Sequence, residues 1–421
     1  MHDIIIIGGG AAGLFLAAKL SQTLPKGLNI LLFEKTATIG NKLLLSGNGQ
    51  CNFTHAGDMK DFSTKYGENY NFLKPALYNL SNEKLVNFFE NLGVKTFIRN
   101  DLKVFPQSMN ANDIKSALIK TMGQYPIKIA TEHTLVKIAI GGNGEIAVQL
   151  RIANSELRTF KTKYLVLCTG GASFSETGSA GDIIYLLNNI NIKTKQFKPS
   201  LSVPNISYIG DKKYNISELS GICLNSAILS IQRANKTILT KTGTLLFTHF
   251  GMSGPLILDN SRYFDKGDKL ITYLTCFTKV SEFDEQLLSL INNNSKRLLK
   301  NVISLLNIPD SIIHFLCNSI SKGILDKKAS EISKSERNLI AKKLFSMEFL
   351  IKELGSQNEA MCSKGGVDLS EINKKNMSLK KYPNIFVAGE CIDIDGDTGG
   401  YNIHVAFATA NLIAEYFKQK E

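Results

Sequence analysis

The sequence predicts an α/β protein in which a sheet domain of parallel strands and a β-meander is interrupted by an inserted domain of strands followed by helices. Three observations predict it. Short apolar runs rich in β-branched residues recur at 4–7, 29–33, 164–168 and 384–388, as strands buried on both faces require. Between residues 128 and 166 the apolar period shortens to two, with turn residues between the runs. Residues 193–354 depart from both idioms, giving strand-like pieces and then amphipathic helical runs, before the parallel-sheet idiom returns.

In chain order, Ile4–Ile7 runs into a glycine turn and a helix from about Ala11 to Gln22, and the next buried strand ends at Glu34, completing one βαβ unit. Residues 56–126 are more polar, with helices expected over 81–92 and 111–122, the second opened by Asn110 or Asn112 as N-cap. The meander comprises 134–140, 145–152 and 157–160, joined by Gly141-Gly142-Asn143-Gly144 and by Asn154-Ser155. A buried strand over 164–168 leads through Thr169-Gly170-Gly171 to a helix over 181–190. The sheet domain is thus assigned to 1–192 and 355–421, and the insert to 193–354. Its β part, about 193–280, holds strand pieces at 222–232, 243–250 and 269–277; its helical part, about 281–354, holds helices at 281–293, 296–306, 311–321 and 331–351. A strand over 384–388 and a helix over 405–417 close the chain.

Composition narrows the class. The 421 residues are 43% hydrophobic with 20% charged, 33 Gly and 9 Pro, a globular composition with room for two or three domains. The balance of 49 basic and 37 acidic residues gives +12, and residues 190–350 hold 22 and 13 of them. Of the basic residues 42 are Lys and 7 Arg, which favours a solvated lysine surface over a nucleic-acid face, since bidentate phosphate and base recognition favours Arg. Seven widely spaced cysteines include no C-x-x-C pair, so reduced thiols are expected. The apolar stretch 4–20 holds four glycines and no basic flank, unlike a signal peptide. No stretch reaches a membrane span. A cytoplasmic location is expected.

Chemistry enters with Gly8-x-Gly10-x-x-Gly13, placed directly after a strand and followed by Glu34 at the end of the next. The first glycine permits the tight turn, the second admits a pyrophosphate against the backbone, and the third lets helix pack on strand. Glu34 suits ribose hydroxyls and repels a 2′-phosphate. Three further segments select FAD: 165–171 ending in Thr-Gly-Gly with Thr177-Gly-Ser-Ala-Gly-Asp182 beyond it, 385–390 ending in Glu390, and Thr398-Gly-Gly-Tyr-Asn402 opening the last helix, whose amides suit an anionic reduced flavin. A second glycine fingerprint is absent from the sequence, so a dedicated nicotinamide domain is not expected, although NAD(P)H remains open as a transient donor.

With Gly40-Asn-Lys42, Ser46-Gly-Asn-Gly-Gln-Cys-Asn52 and Thr248-His-Phe-Gly-Met-Ser-Gly-Pro255 added, the chain resembles, over nearly its whole length, the bacterial FAD-dependent flavoproteins of the aminoacetone-oxidase-like group, which includes bile-acid-intermediate reductases. The resemblance implies a glutathione-reductase-type, Rossmann-like FAD domain interrupted by an insert that covers the isoalloxazine, with looser kinship to fumarate-reductase and aspartate-oxidase flavoproteins. The motifs and the resemblance together assign non-covalent FAD contacts to Gly8, Gly10, Ala11, Ala12, Gly13, Glu34, Lys35, Lys42, Ser46, Gly47, Asn48, Gly49, Leu135, Thr169, Gly170, Gly171, Gly389, Glu390, Gly399, Gly400, Tyr401 and Asn402. Gln50 stands where the family has Arg and Cys168 where it has Ala, which leaves an anion-binding role for position 50 unsupported.

The expected activity is FAD-dependent hydride transfer between flavin N5 and a small organic substrate. His249, on a glycine-flanked loop, is the candidate catalytic residue, weighed against a loop-supporting role. His55 and His404 lie beside flavin motifs, whereas His314 reads as a helix residue of the insert. Cys51 and Cys391 lack the paired thiol of a dithiol enzyme and read as packing. Asp393, Asp395 and Asp397 read as turn formers rather than metal ligands. The alternatives are a flavin-containing RNA-modifying or RNA-binding protein standing on the basic insert, and a flavoprotein without turnover. Substrate, electron donor and oligomeric state stay open.

Overall fold

A computed structural model describes residues 1–25, 27–123, 127–153, 156–210 and 215–420; the Asn154-Ser155 turn signal lies outside the described residues. The chain divides into two compact units, Met1–Ser200 with Gln357–Glu421, and Leu201–Ser356.

The first unit is built on a seven-stranded sheet. His2–Ile7 pairs in parallel with Ile30–Phe33 and with the far half of Glu156–Leu167, and Ile30–Phe33 pairs in parallel with Lys128–Ala130. Ile385–Val387 pairs in parallel with residues 165–167, bringing the end of the chain onto the sheet. The meander strands His133–Ile140 and Ile146–Ile152 continue it antiparallel, leaving His133–Ile140 at the edge. The expected strands 157–160 and 164–168 are one continuous strand, Glu156–Leu167. Its first half is antiparallel to the meander and its second half parallel to the buried strands, which explains why its sequence alternates first and turns uniformly apolar later.

Helix Ala11–Thr23 is buried on nearly every side, as a helix sandwiched between the sheet and the last helix, Tyr401–Lys420, must be. Asn110 caps helix Ala111–Met122 by accepting from the Asn112 amide. A helix over Tyr70–Asn79 escaped the sequence reading because Pro75 interrupts its pattern. Thr194–Ser200, which the sequence reading placed in the insert, pairs with Cys362–Val367 within the first unit.

The second unit carries an antiparallel sheet in the order Asn205–Tyr208, Ser346–Glu353, Lys269–Tyr273, Cys223–Arg233, Lys236–Thr248, Gly251–Ser253. Helices Val280–Asn293, Leu299–Ile303, Asp310–Asn318 and Lys334–Phe345 share its core. One expectation fails: the helix expected over 331–351 stops at Phe345, and Ser346–Glu353 returns to the sheet as a strand. Its side chains alternate buried and part-buried through Ile351, a period of two that the preceding helical run masked. Among the described residues no helix is long and apolar enough to cross a membrane.

Candidate functional site

The first unit holds a groove of about 1320 Å³, part of it open solvent, lined by the glycine turn, by residues 34–36 and 40–43, by the start of the meander, by 168–170 and 177–182, and by the two C-terminal motifs. Its floor is the glycine turn, whose three glycines answer to different constraints. Gly8 has φ +105°, and a Cβ there would lie 2.2 Å from the Cys168 carbonyl oxygen. At Gly13 a Cβ would lie 1.9 Å from the Gly8 carbonyl oxygen. Both are dictated by the protein's own backbone. Gly10 has an ordinary φ of −81°, and a Cβ there would meet nothing within 4 Å. The protein's own packing does not require glycine at 10.

Glu34, 8% exposed, is held at both oxygens. Its Oε2 accepts from the Gly9 amide at 2.7 Å, and its Oε1 accepts from the Thr36 amide at 2.9 Å and the Thr36 hydroxyl at 2.8 Å. The carboxylate thus braces the glycine turn and also lines the groove. Thr169 also lines the groove, and its hydroxyl is buried with no protein partner among the described residues, an orphaned polar group of the kind a bound ligand satisfies. Lys35 reaches Asp182 at 2.7 Å.

At the other end, residues far apart in sequence converge. Lys42 Nζ lies 2.5 Å from Glu390 Oε2 and donates to Ser173 Oγ at 2.5 Å. Glu390 Oε1 accepts from Ser173 Oγ at 3.0 Å and from the Ser363 amide at 2.7 Å. Asn402 is clamped to Gly396, accepting from its amide at 2.8 Å and donating to its carbonyl at 2.9 Å. This fixes the loop that opens the last helix. Gly171 stays bare because a Cβ would come within 2.7 Å of Glu390 Oε1.

Of the expected contacts, Gly8, Gly10, Ala11, Ala12, Glu34, Lys35, Lys42, Leu135, Thr169, Gly170, Gly389, Glu390 and Asn402 line the groove. Gly13, Ser46, Gly47, Asn48, Gly49, Gly171, Gly399, Gly400 and Tyr401 are not among its lining residues. Gly47, Asn48, Gly49 and Cys51 all have positive φ, in a tight turn closed by the Cys51 amide on the Ser46 carbonyl at 2.9 Å. Gly400 lets the last helix approach Thr54, whose carbonyl oxygen would be 2.7 Å from a Cβ. Tyr401 is buried, stacked on His55 with ring centroids 5.2 Å apart. Sequence reading missed Thr36 and His133 as lining residues and Ser173 and Ser363 as Glu390 partners; the serines carry no local motif that could have found them.

The histidines separate clearly. His404 is fully buried: its Nε2 donates to the Leu80 carbonyl and its Nδ1 accepts from the Thr54 hydroxyl, both at 2.8 Å, and burial lowers its pKa to about 4. It is a neutral structural tie. Burial likewise lowers the pKa of His55, helped by Lys65. His249 and Phe250 form the exposed tip between strands Lys236–Thr248 and Gly251–Ser253 of the second unit. His314 is exposed on helix Asp310–Asn318. None of the seven cysteines forms a disulfide; burial pushes the Cys51 and Cys391 thiols up to about 12 and that of Cys168 well above its usual value. Asp393 and Asp395 are tied to Lys195 at 2.6 Å and Ser200 at 2.5 Å, and Asp397 lies 3.6 Å from Lys65.

The ligand this groove fits is an extended dinucleotide: a bare backbone at Gly10, an acid behind it, an unpartnered hydroxyl beside it and a charged pair at the far end. A family model described as the HI0933-like protein Rossmann domain matches residues 2–416. The ribosomal RNA dihydrouridine synthase of Haemophilus influenzae is 27% identical over 413 residues, covering 97% of each chain. The 3-dehydro-bile acid delta(4,6)-reductase of Clostridium scindens is 24% identical over 429 residues, covering 98% of each. Among solved structures, 3-ketosteroid delta1-dehydrogenase from Sterolibacterium denitrificans aligns over 100% of both chains at 11% identity with a TM-score of 0.50, a likeness of fold. The match from residue 2 to residue 416 carries the conclusion: this chain belongs to the HI0933-like Rossmann family.

Proposed function

We propose that the protein is an FAD-dependent oxidoreductase that reduces a carbon–carbon double bond conjugated to a carbonyl. The observation that carries the cofactor is Gly10, bare with no protein atom in the way, on the floor of a groove that is also lined by Glu34, Thr169 and Asn402. When bound, FAD supplies two-electron hydride chemistry. The chain's own part is to hold and insulate it. The Glu34 bridges fix the phosphate turn, the Lys42–Glu390 pair with Ser173 fixes polar groups at the far end, and the Asn402–Gly396 clamp fixes the amides that open the last helix. The thiols of Cys51 and Cys391, held at about 12, stay protonated and out of the electron path. NADH or NADPH is the donor in this reading. Free cysteines throughout fit a reducing, cytoplasmic compartment.

The relatives taken together support the acceptor class. A delta(4,6)-reductase of a 3-dehydro bile acid and a dihydrouridine synthase both name the saturation of an alkene next to a carbonyl. A small enone is the first substrate class to test, with His249 as the proposed catalytic residue. The purified protein should show a flavin absorption spectrum that bleaches anaerobically with NADH or NADPH. Gly10→Val should be folded and colourless, and full flavin content in that variant would overturn the reading. His249→Ala should keep its flavin and lower kcat; an unchanged rate leaves His249 a loop support.

A second reading, uracil in RNA as the acceptor, is favoured by the basic excess of residues 190–350 and by exposed lysines of the second unit such as Lys236, Lys241, Lys279, Lys296 and Lys334. Phosphate contacts predict RNA affinity that falls steeply with salt. Absence of binding to an rRNA fragment at low salt removes this reading and leaves the first intact.

A further inference from the structure

At the meander end of the groove, beyond Glu34, the wall is made by His133, Thr134 and Leu135. Their strand is the edge of the sheet, with a bulge between Leu135 and Lys137, and His133 and Leu135 project to the same face. His133 is well fixed. Its amide donates to the Glu34 carbonyl at 2.8 Å, its ring packs on Phe33 with centroids 5.1 Å apart, and its Nδ1 lies 2.5 Å from the Thr131 carbonyl oxygen. A carbonyl oxygen can only accept, so Nδ1 carries the proton. In the neutral ring Nε2 is then an acceptor, and it has no protein partner among the described residues.

An acceptor at the base end of a dinucleotide groove distinguishes bases by their exocyclic groups. Adenine presents an amino group at position 6, which donates; guanine and hypoxanthine present an oxygen there, which would face the Nε2 lone pair and leave both acceptors unsatisfied. We infer that His133 is a specificity-determining residue that selects a 6-amino purine for the base end of the groove, through Nε2 as hydrogen-bond acceptor. The inference rests on FAD occupying this groove and adds which side chain reads its adenine. The Phe33 ring and the Thr131 carbonyl set the imidazole's plane and tautomer before the ligand arrives, which is what makes the selection sharp.

The test uses apoprotein and three flavins: FAD, its deaminated analogue with hypoxanthine in place of adenine, and FMN, which lacks the base. Binding is followed by quenching of flavin fluorescence at about pH 8.5, where free imidazole is neutral. Wild-type protein should bind FAD roughly tenfold to a hundredfold more tightly than the deaminated analogue, the range for leaving a buried polar pair unmatched. His133→Phe keeps an aromatic ring on Phe33 and removes the acceptor; it should bind both dinucleotides within about threefold of each other while keeping the wild-type melting temperature. His133→Gln, whose amide oxygen can accept, should recover part of the preference. Equal affinity of the wild-type protein for the two dinucleotides, or an undiminished preference in His133→Phe, overturns the role of His133 with FAD binding intact. Failure of wild-type apoprotein to bind FAD more tightly than FMN overturns the occupancy of the groove itself, a different result.

Discussion

The two ends of the groove are built by opposite means. The glycine turn draws on residues 8–13 and one acid, Glu34, so a short stretch of chain creates both the backbone geometry and its brace. The far end draws Lys42, Ser173, Ser363 and Glu390 from four separate segments and holds them by bonds to the Lys42 and Glu390 side chains, one of them from the Ser363 backbone amide. A site made by local backbone should fail all at once or not at all, depending on which atom is touched. One made by converging side chains should fail by degrees.

The largest effect expected is at Gly13. A Cβ 1.9 Å from a backbone oxygen cannot be relieved by a rotamer change, so Gly13→Ala should destabilise the first unit by about 3 kcal/mol or more and lower the yield of folded protein. Gly10→Ala, three residues earlier, should leave the melting temperature of the apoprotein unchanged and weaken FAD binding at least tenfold. Thermal melts and flavin titrations of the two variants test the contrast directly. Equal destabilisation would mean that the turn has one constraint, not two.

His404 belongs to the converging kind, joining the last helix to Thr54 and Leu80. Its pKa of about 4 lies below the ordinary 6.5, so between these values the unfolded chain binds a proton that the folded one does not. Stability is full above pH 6.5 and is lost as pH falls through 4. From pH 7 to pH 5 the loss from this group should be about 2 kcal/mol. Urea unfolding at the two pH values, in wild type and His404→Gln, reads it: the variant is less stable at pH 7 but should show a shallower pH dependence. Parallel curves would remove His404 as the source.

The contrast also marks what was legible beforehand. Gly8, Gly10, Gly13 and Glu34 stand out in the sequence by their spacing, because a turn between strand and helix repeats its residues at fixed intervals. Lys42 and Glu390 were found through longer motifs. Ser173 and Ser363 were not, because a serine that completes a carboxylate's hydrogen bonds has no periodicity and no neighbour in sequence. Gly400 and Tyr401, also expected at the cofactor, are not among the groove's lining residues: Gly400 admits the last helix against Thr54, and Tyr401 packs among His55, Phe62 and Tyr66. In the second unit the strand Ser346–Glu353 was hidden because an apolar helix runs straight into it and its period of two has few residues in which to declare itself. The parallel strands were legible because burial on both faces leaves no room for polar residues.

At the Lys42–Glu390 pair the expected effect is smaller. Side chains 24% and 20% exposed keep some solvent screening, so removing either charge alone should cost about tenfold in FAD affinity, with a coupling of about 1 kcal/mol in the double-mutant cycle. Lys42→Met with Glu390→Gln should bind FAD better than the sum of the two single losses predicts, whereas strict additivity would show that the two side chains act on the cofactor independently.

The smallest effect separates the two regions by what they exclude. Cys168 packs against the glycine turn and Cys391 follows Glu390, so each end of the groove has a thiol beside it, and both are buried with their pKa raised by desolvation. A thiol at about 12 is ionised to roughly one part in ten thousand at pH 8, too little to attack or to be oxidised on the time scale of turnover. Cys223 and Cys276 are exposed. Brief treatment with iodoacetamide at about pH 8 should therefore modify Cys223 and Cys276 while sparing Cys51, Cys168 and Cys391, as peptide mass spectrometry would show, and should leave NAD(P)H-dependent flavin bleaching unchanged. Rapid modification of Cys391 in the folded protein, with loss of bleaching, would mean that the far end of the groove opens to solvent and that its side-chain network is less firmly closed than the backbone-built turn.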